Sequence, residues 1–110
     1  MVAPYSKRFD IYWINLDPTI GAEVKKTRPC VVISPDNMNK GLHTIIIAPL
    51  TSTLKQWPFR IAVTHKKKKG QIMLDQLRVV SKQRLHKVDG RISAAAQSST
   101  TAILGEMFAL

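Results

Sequence analysis

The stretch PCVVISPDNMNKGLHTIIIAPL, residues 29–50, decides the fold class. It holds two short apolar runs, PCVVIS at residues 29–34 and TIIIAPL at residues 44–50. Both are dense in β-branched side chains, which pack well on a pleated surface and lose rotamer freedom in a helix. Ser34-Pro35-Asp36-Asn37 closes the first run with turn-forming residues, and Gly41 precedes the second. Pro49 has no N–H to give a ladder, so the second run is expected to end a strand there or to lie on an edge.

Working outward, the same character continues. Residues 9–16, FDIYWINL, are aromatic and β-branched and stop at Asp17-Pro18. Residues 59–65, FRIAVTH, put Phe59, Ile61 and Val63 on one face of a strand and Arg60 on the other. Residues 71–80, QIMLDQLRVV, read as one further strand starting after Gly70. So many strands in a small chain predict a mainly β (α+β) domain, a small barrel or strongly curved sheet. The last third changes period. Residues 81–88 suit one or two helical turns with Leu85 and Val88 on one side. From Ser93, a plausible N-cap, an amphipathic helix is expected, with Ile92, Ala96, Ile103 and Met107 in a stripe and Leu104 alongside. Residues 17–27 and 66–70 are expected to be mobile loops.

A length of 110 residues fits one domain over 1–110, and 45% hydrophobic with 22% charged residues excludes bulk disorder. The lone Cys30 makes no internal disulfide and sits in an apolar run, as a small buried hydrophobe. The apolar stretch at residues 45–50 is too short to span a bilayer, and the N-terminus lacks the apolar core of a secretory signal. A soluble cytoplasmic protein is expected. His43, His65 and His86 lack metal-ligand spacing, and no phosphate-cradling glycine loop or hydrolase elbow occurs. No metal and no cofactor are expected.

Charge carries the functional signal. Seventeen Lys and Arg face seven Asp and Glu, a net charge of +10, which points to a polyanion. The run Lys66-Lys67-Lys68-Lys69 is most simply a solvated hairpin tip, and with it set aside the rest still carries +6 (13 basic, 7 acidic). Lys25, Lys26 and Arg28 beside Glu23 form a different pattern, an acid among bases, which by spacing alone is most simply an exposed, weakly paired turn and suits acid–base chemistry only once other segments join it. Thr51-Ser52-Thr53 offers hydroxyls for a phosphate. On an uninterrupted strand Gln76 and Arg78 share a face and could meet phosphate or base edges, while Asp75 points the other way and most simply anchors a loop. Trp57 and Phe59 could stack on unpaired bases, although packing is their simpler role.

Taken together, DIYWINLDPTIGAE (10–23), TRPCVVISP (27–35), APLTST (48–53), WPFRIAV (57–63) and IMLDQLRVVSKQRL (72–85) resemble the MazF/PemK family of toxin endoribonucleases, in family order over most of the chain. The resemblance implies an SH3-like/CcdB-like barrel with a C-terminal helix, usually a homodimer. It also implies metal-independent, sequence-selective cleavage of single-stranded RNA in a bacterial cytoplasm, blocked by a cognate acidic antitoxin. Glu23 and Arg28 match the family's catalytic carboxylate and arginine, and Thr51 matches its active-site hydroxyl. Ser52, Asp75, Gln76, Arg78, Lys25 and Lys26 are the expected substrate-binding residues.

The implied chemistry uses RNA's own 2′-OH as nucleophile, with Glu23 as base and Arg28 stabilising charge on the phosphate, leaving a 2′,3′-cyclic phosphate and a 5′-hydroxyl. Arginine stays protonated, with a pKa of about 12.5 or above, so charge stabilisation outranks literal proton donation, and the general acid stays open. Ala22 and Met73 replace a histidine and an arginine that some relatives use, which favours the Glu23/Arg28 version. Phe9 stands where a glycine often precedes the first-strand Asp. Two competing readings remain, a CcdB-like gyrase poison on the same fold and a non-catalytic RNA-binding module.

Overall fold

The computed structural model describes residues 5–23 and 26–110. Seven strands, β1 (Asp10–Asn15), β2 (Thr27–Val32), β3 (Thr44–Thr51), β4 (Arg60–His65), β5 (Lys68–Met73), β6 (Arg78–Ser81) and β7 (Leu85–Arg91), form one antiparallel sheet. Two helices, α1 (Asp36–Gly41) and α2 (Ala94–Phe108), complete the architecture. The path runs β4-β5-β3-β2-β1-β7, with β6 also paired to β3, and the sheet curls into a half-barrel.

β3 is the hub. One edge pairs with β2 through Cys30↔Pro49, Val31↔Ala48 and Val32↔Ile47. On its other edge β6 covers Thr44 to Ile47, and β5 covers Leu50 and Thr51. Two separate strands share that edge end to end. The run at residues 71–80 is therefore not one strand: a 3-10 turn at Leu74–Gln76 carries the chain from one ladder to the next. Pro49 sits inside β3 and is fully buried, where the gap between the two ladders leaves its missing N–H without consequence.

Both faces of the central strands are buried, which explains their unbroken apolar runs. Ile46, Ala48 and Leu50 of β3 face one cluster with Ile11, Val31, Ile61, Ile72 and Leu74, while Ile45 and Ile47 face another with Ile14, Leu16, Cys30, Val32 and Val80. Helix α2 covers the first cluster with Ala96, Ile103 and Leu104, and the Ser93 hydroxyl caps it by accepting from Ala96 N–H at 3.2 Å. Met107, expected in that stripe, is 37% exposed and outside the cluster. At the stripe's centre stands Thr100, fully buried, with its hydroxyl unpartnered among the described residues. Burying a hydroxyl unpaired costs about 1–3 kcal/mol. Thr100→Val, of similar shape and helix propensity, should raise the unfolding free energy by about 1 kcal/mol in urea denaturation.

Several local expectations are corrected. Residues 34–37 lead into α1, whose Asn39 is fully buried and bonded to Ser34 Oγ and to the carbonyls of Ser6 and Ser34. Residues 81–88 make only a 3-10 turn at Lys82–Arg84 before β7, because Leu85, Lys87 and Val88 pair with β1. The lysine run is no loose loop: Lys66 and Lys67 form a two-residue turn between paired His65 and Lys68. Their φ angles of 51° and 65° suit the tight hairpin expected here, although Asn or Gly normally occupies such a turn. Phe9, where a glycine was expected, also has a left-handed φ of 75°. Its strain is offset by packing on the first cluster and by backbone bonds to Val32 and Ile92.

Candidate active site

Five consecutive strands of the sheet build one cleft of about 480 Å³. β1 contributes Trp13, β2 Thr27, Arg28 and Pro29, and β3 Leu50 and Thr51, followed by Ser52 and Thr53. β4 contributes Val63 and His65, and β5 contributes Lys68, Lys69 and Gly70. Arg28, Thr51 and Ser52, widely spaced in sequence, are thus brought together.

Arg28 is half-buried at the start of β2, with Nη1 3.5 Å from the Leu50 carbonyl oxygen across the β2–β3 seam. Thr51 ends β3, where its hydroxyl oxygen accepts the Thr53 N–H at 3.1 Å. That bond fixes the oxygen and leaves its proton to be donated to an anion. Gly70 passes so close to Thr51 that an added Cβ would lie 2.6 Å from the Thr51 carbonyl oxygen. Only glycine lets β5 approach and complete this wall.

One more group shapes the cleft. Asp89 of β7 is bonded by Trp13 Nε1 at 3.0 Å, His65 Nε2 at 2.9 Å and Lys66 Nζ at 2.5 Å. Its carboxyl is held down at about 2, chiefly by the Lys66 hydrogen bond, with His65 and Trp13 adding and burial opposing. β4 and β7 lie at opposite ends of the strand path, so this cluster ties the two edges of the half-barrel beside the cleft.

Other expected site residues lie elsewhere. Glu23 is exposed on the loop before β2, its Oε1 accepting the Ile20 N–H at 2.7 Å, outside the cleft lining. Lys26 is exposed with a φ of 71°, its N–H donated to Asp17 Oδ1 at 3.1 Å. Lys25 lies outside the described residues. Asp75 receives both Arg60 Nε and Nη2, at 2.7 and 3.1 Å, instead of lining the cleft. Gln76 ends the 3-10 turn, half-buried and engaged in interactions of its own. Arg78 donates Nη1 to the Leu16 carbonyl at 2.7 Å and thereby holds the end of β1. Its shared face with Gln76 assumed a continuous strand, which the turn breaks.

Trp57 is 44% exposed, tilted against Phe59 at 5.6 Å and covered by the Arg60 guanidinium at 4.6 Å. Phe59 packs against the first cluster, whereas Trp57 stays at the surface between Phe59 and Arg60. Cys30 is fully buried, and burial pushes its thiol up to about 12 despite nearby Arg28 and Arg78. It is a packing residue, as its apolar setting indicated. Among the described residues no three His, Cys, Asp or Glu side chains gather in metal-binding geometry, and no helix is long and apolar enough to cross a membrane.

Lys68, Lys69, His65 and Trp13 were not singled out for this cleft. The lysines stood within a visible run, but nothing in their spacing distinguishes cleft-lining from solvated members. His65 and Asp89 are 24 residues apart and become partners only when β4 meets β7.

Comparison with known proteins places this architecture. The sequence pattern of the family described as PemK-like, MazF-like toxin of type II toxin-antitoxin system matches residues 7–108. The chain belongs to that family. It is similar to endoribonuclease MazF9 of Mycobacterium tuberculosis, 32% identical over 99 residues, covering 81% of this chain and 84% of that one. It also resembles the endoribonuclease toxin MazF of Escherichia coli K12, 31% identical over 72 residues, where the match spans 66% of this chain but only 65% of that relative. In fold it superposes on MazF from Deinococcus radiodurans with a TM-score of 0.85, at 23% identity, covering 98% of this chain and all of the other. A mycobacterial endoribonuclease in complex with its cognate antitoxin gives 0.80 at 18% identity, covering 96% of each chain. The half-barrel with a C-terminal helix is thus the fold of this toxin family, as the resemblance implied.

Proposed function

We propose that this MazF-family chain is an endoribonuclease that cuts single-stranded RNA at the Arg28–Thr51 cleft by 2′-OH attack, without a metal. The observation that carries this reading is the convergence of Arg28, Thr51 and Ser52 with Lys68 and Lys69 in one cleft. Those groups suit a phosphodiester: lysines attract the backbone, hydroxyls donate to its oxygens, and the guanidinium forks onto the scissile phosphate. Charge then develops on the phosphoryl oxygens beside a cation already in place. Glu23 is the proposed base. It is an exposed carboxylate four residues before Thr27 in sequence, and it matches the family's catalytic carboxylate.

An acidic antitoxin is the proposed inhibitor, competing with RNA for this cationic surface, and the working form is proposed to be a homodimer. Relatives named as endoribonucleases, and a fold neighbour described with its cognate antitoxin, support the reading. The test is incubation of purified protein with a mixed-sequence single-stranded RNA in EDTA. Cleavage leaving 2′,3′-cyclic phosphate and 5′-hydroxyl ends is expected. Binding without cleavage would mark a passive RNA-binding module, and trapped gyrase without RNA cleavage would mark a gyrase poison.

The lysines make a separate prediction. Replacing Lys68 and Lys69 by serine should lower the log–log salt slope of RNA binding by about 1.4, from about 0.7 per lost phosphate contact on a single strand. Lys67→Ser, outside the cleft lining, should leave the slope unchanged. Fluorescence anisotropy at several salt concentrations measures both.

A further inference from the structure

Cleavage by 2′-OH attack needs a proton for the departing 5′-oxygen, and neither a guanidinium nor a threonine hydroxyl gives one up readily near neutral pH. Among the cleft side chains an imidazole is the one whose ordinary titration range lies nearest neutral pH, which suits proton donation better than a lysine ammonium. His65 ends β4 with its side chain one-fifth exposed, and it lines the same cleft as Arg28 and Thr51. Its Nε2 is held 2.9 Å from Asp89 Oδ2, while Nδ1 makes no hydrogen bond among the described residues. Asp89 is itself fixed by Trp13 and Lys66, and its low-lying carboxyl stays anionic through the working range. A part-buried, triply bonded carboxylate behind an imidazole that lines a cationic cleft is the arrangement that orients a proton-transferring histidine.

We propose that His65 is the general acid of this site and that Asp89 is its positioning residue. This rests on the RNA-cleaving reading above. As the 2′-oxygen bonds to phosphorus, its proton passes to the base. The bond from phosphorus to the 5′-oxygen breaks, and that oxygen takes the Nδ1 proton of the doubly protonated ring. The ring is left neutral, with its Nε2 proton still donated to Asp89. Arg28 keeps its proton throughout and balances charge on the non-bridging oxygens. The charged groups around the ring are Lys66 in the turn, Lys68 across the hairpin, Lys69 and Arg28 in the cleft, and Asp89 from β7. Asp89 is the carboxylate hydrogen-bonded to the ring itself, while Lys68, Lys69 and Arg28 share the cleft lining with it.

The test compares an RNA oligonucleotide with its analogue bearing sulfur for the bridging 5′-oxygen at the mapped cut. A thiolate departs without a proton, so it removes the need for a general acid. His65→Gln should lose about 10²–10⁴-fold in cleavage rate on the oxygen substrate and stay within about tenfold of wild type on the sulfur substrate. Gln retains a donor for Asp89, which guards against mere loss of folding, and His65→Ala should show the same split. Arg28→Ala should lose activity on both substrates. Equal losses by His65→Gln on oxygen and sulfur would overturn the assignment while leaving the RNA-cleaving reading intact. Wild-type protein that cuts neither substrate would overturn both.

Discussion

Arg28→Ala should reduce cleavage of single-stranded RNA by about 10³-fold in kcat/KM, a loss of roughly 4 kcal/mol in transition-state stabilisation. The side chain is half-buried on β2 and reaches across to β3, so it sits where a phosphate would meet Thr51 and Ser52. Its charge needs no reorganisation when the phosphoryl oxygens gain theirs. Any change in fold stability is counted apart from this loss, since Arg28 contacts the Leu50 carbonyl at 3.5 Å and has further interactions of its own. Arg28→Lys should fall between, because it keeps the charge but loses the planar fork. Steady-state rates with a defined oligonucleotide, alongside thermal melts, separate the two effects. A fully active Arg28→Ala protein would remove the cleft from the mechanism.

Gly70→Ala should damage both the fold and the site. The new Cβ would stand 2.6 Å from the Thr51 carbonyl oxygen, and that atom belongs to backbone, not to a side chain that can swing aside. β5 is paired to β3 at Thr51↔Gln71 and to β4 at Val63↔Gly70, so the clash must push a central strand. Overpacking of this kind costs about 1–3 kcal/mol. At the middle of that range Tm falls by roughly 10 °C. The displaced backbone carries Thr51 with it, and a shift of about 1 Å at a reacting group costs about 10²-fold in rate. Gly105→Ala in α2 is the control. Nothing lies within 4 Å of its added Cβ, so it should stabilise the helix by about 0.5–1 kcal/mol. A Gly70→Ala protein as stable and active as wild type would show that β5 has more room than its packing against Thr51 allows.

Much of this protein was decided by local chemistry. The β-branched runs at residues 29–34 and 44–50 can be little but buried strands, and Ser93 with the apolar spacing after it makes a capped helix. Charge pointed to a polyanion because electrostatics of that size needs no fold to be read, while RNA cleavage was implied by the family resemblance of the segments taken together. What stayed hidden depends on contacts between distant segments. β3 has to share one edge between β5 and β6, so residues 71–80 break at Leu74–Gln76 and the expected faces of Asp75, Gln76 and Arg78 dissolve. Asp75 then pairs with Arg60, and Arg78 holds the Leu16 carbonyl. Whether a lysine is solvated or lines a cleft depends on strand curvature, which separates Lys68 and Lys69 from Lys67. His65 and Asp89 meet only because the sheet curls its two edges together. Sequence alone determined most strands, the C-terminal helix and the charge, since those follow from nearest neighbours along the chain. Tertiary structure alone decided which polar groups face one another, since that depends on curvature and register set by the whole sheet.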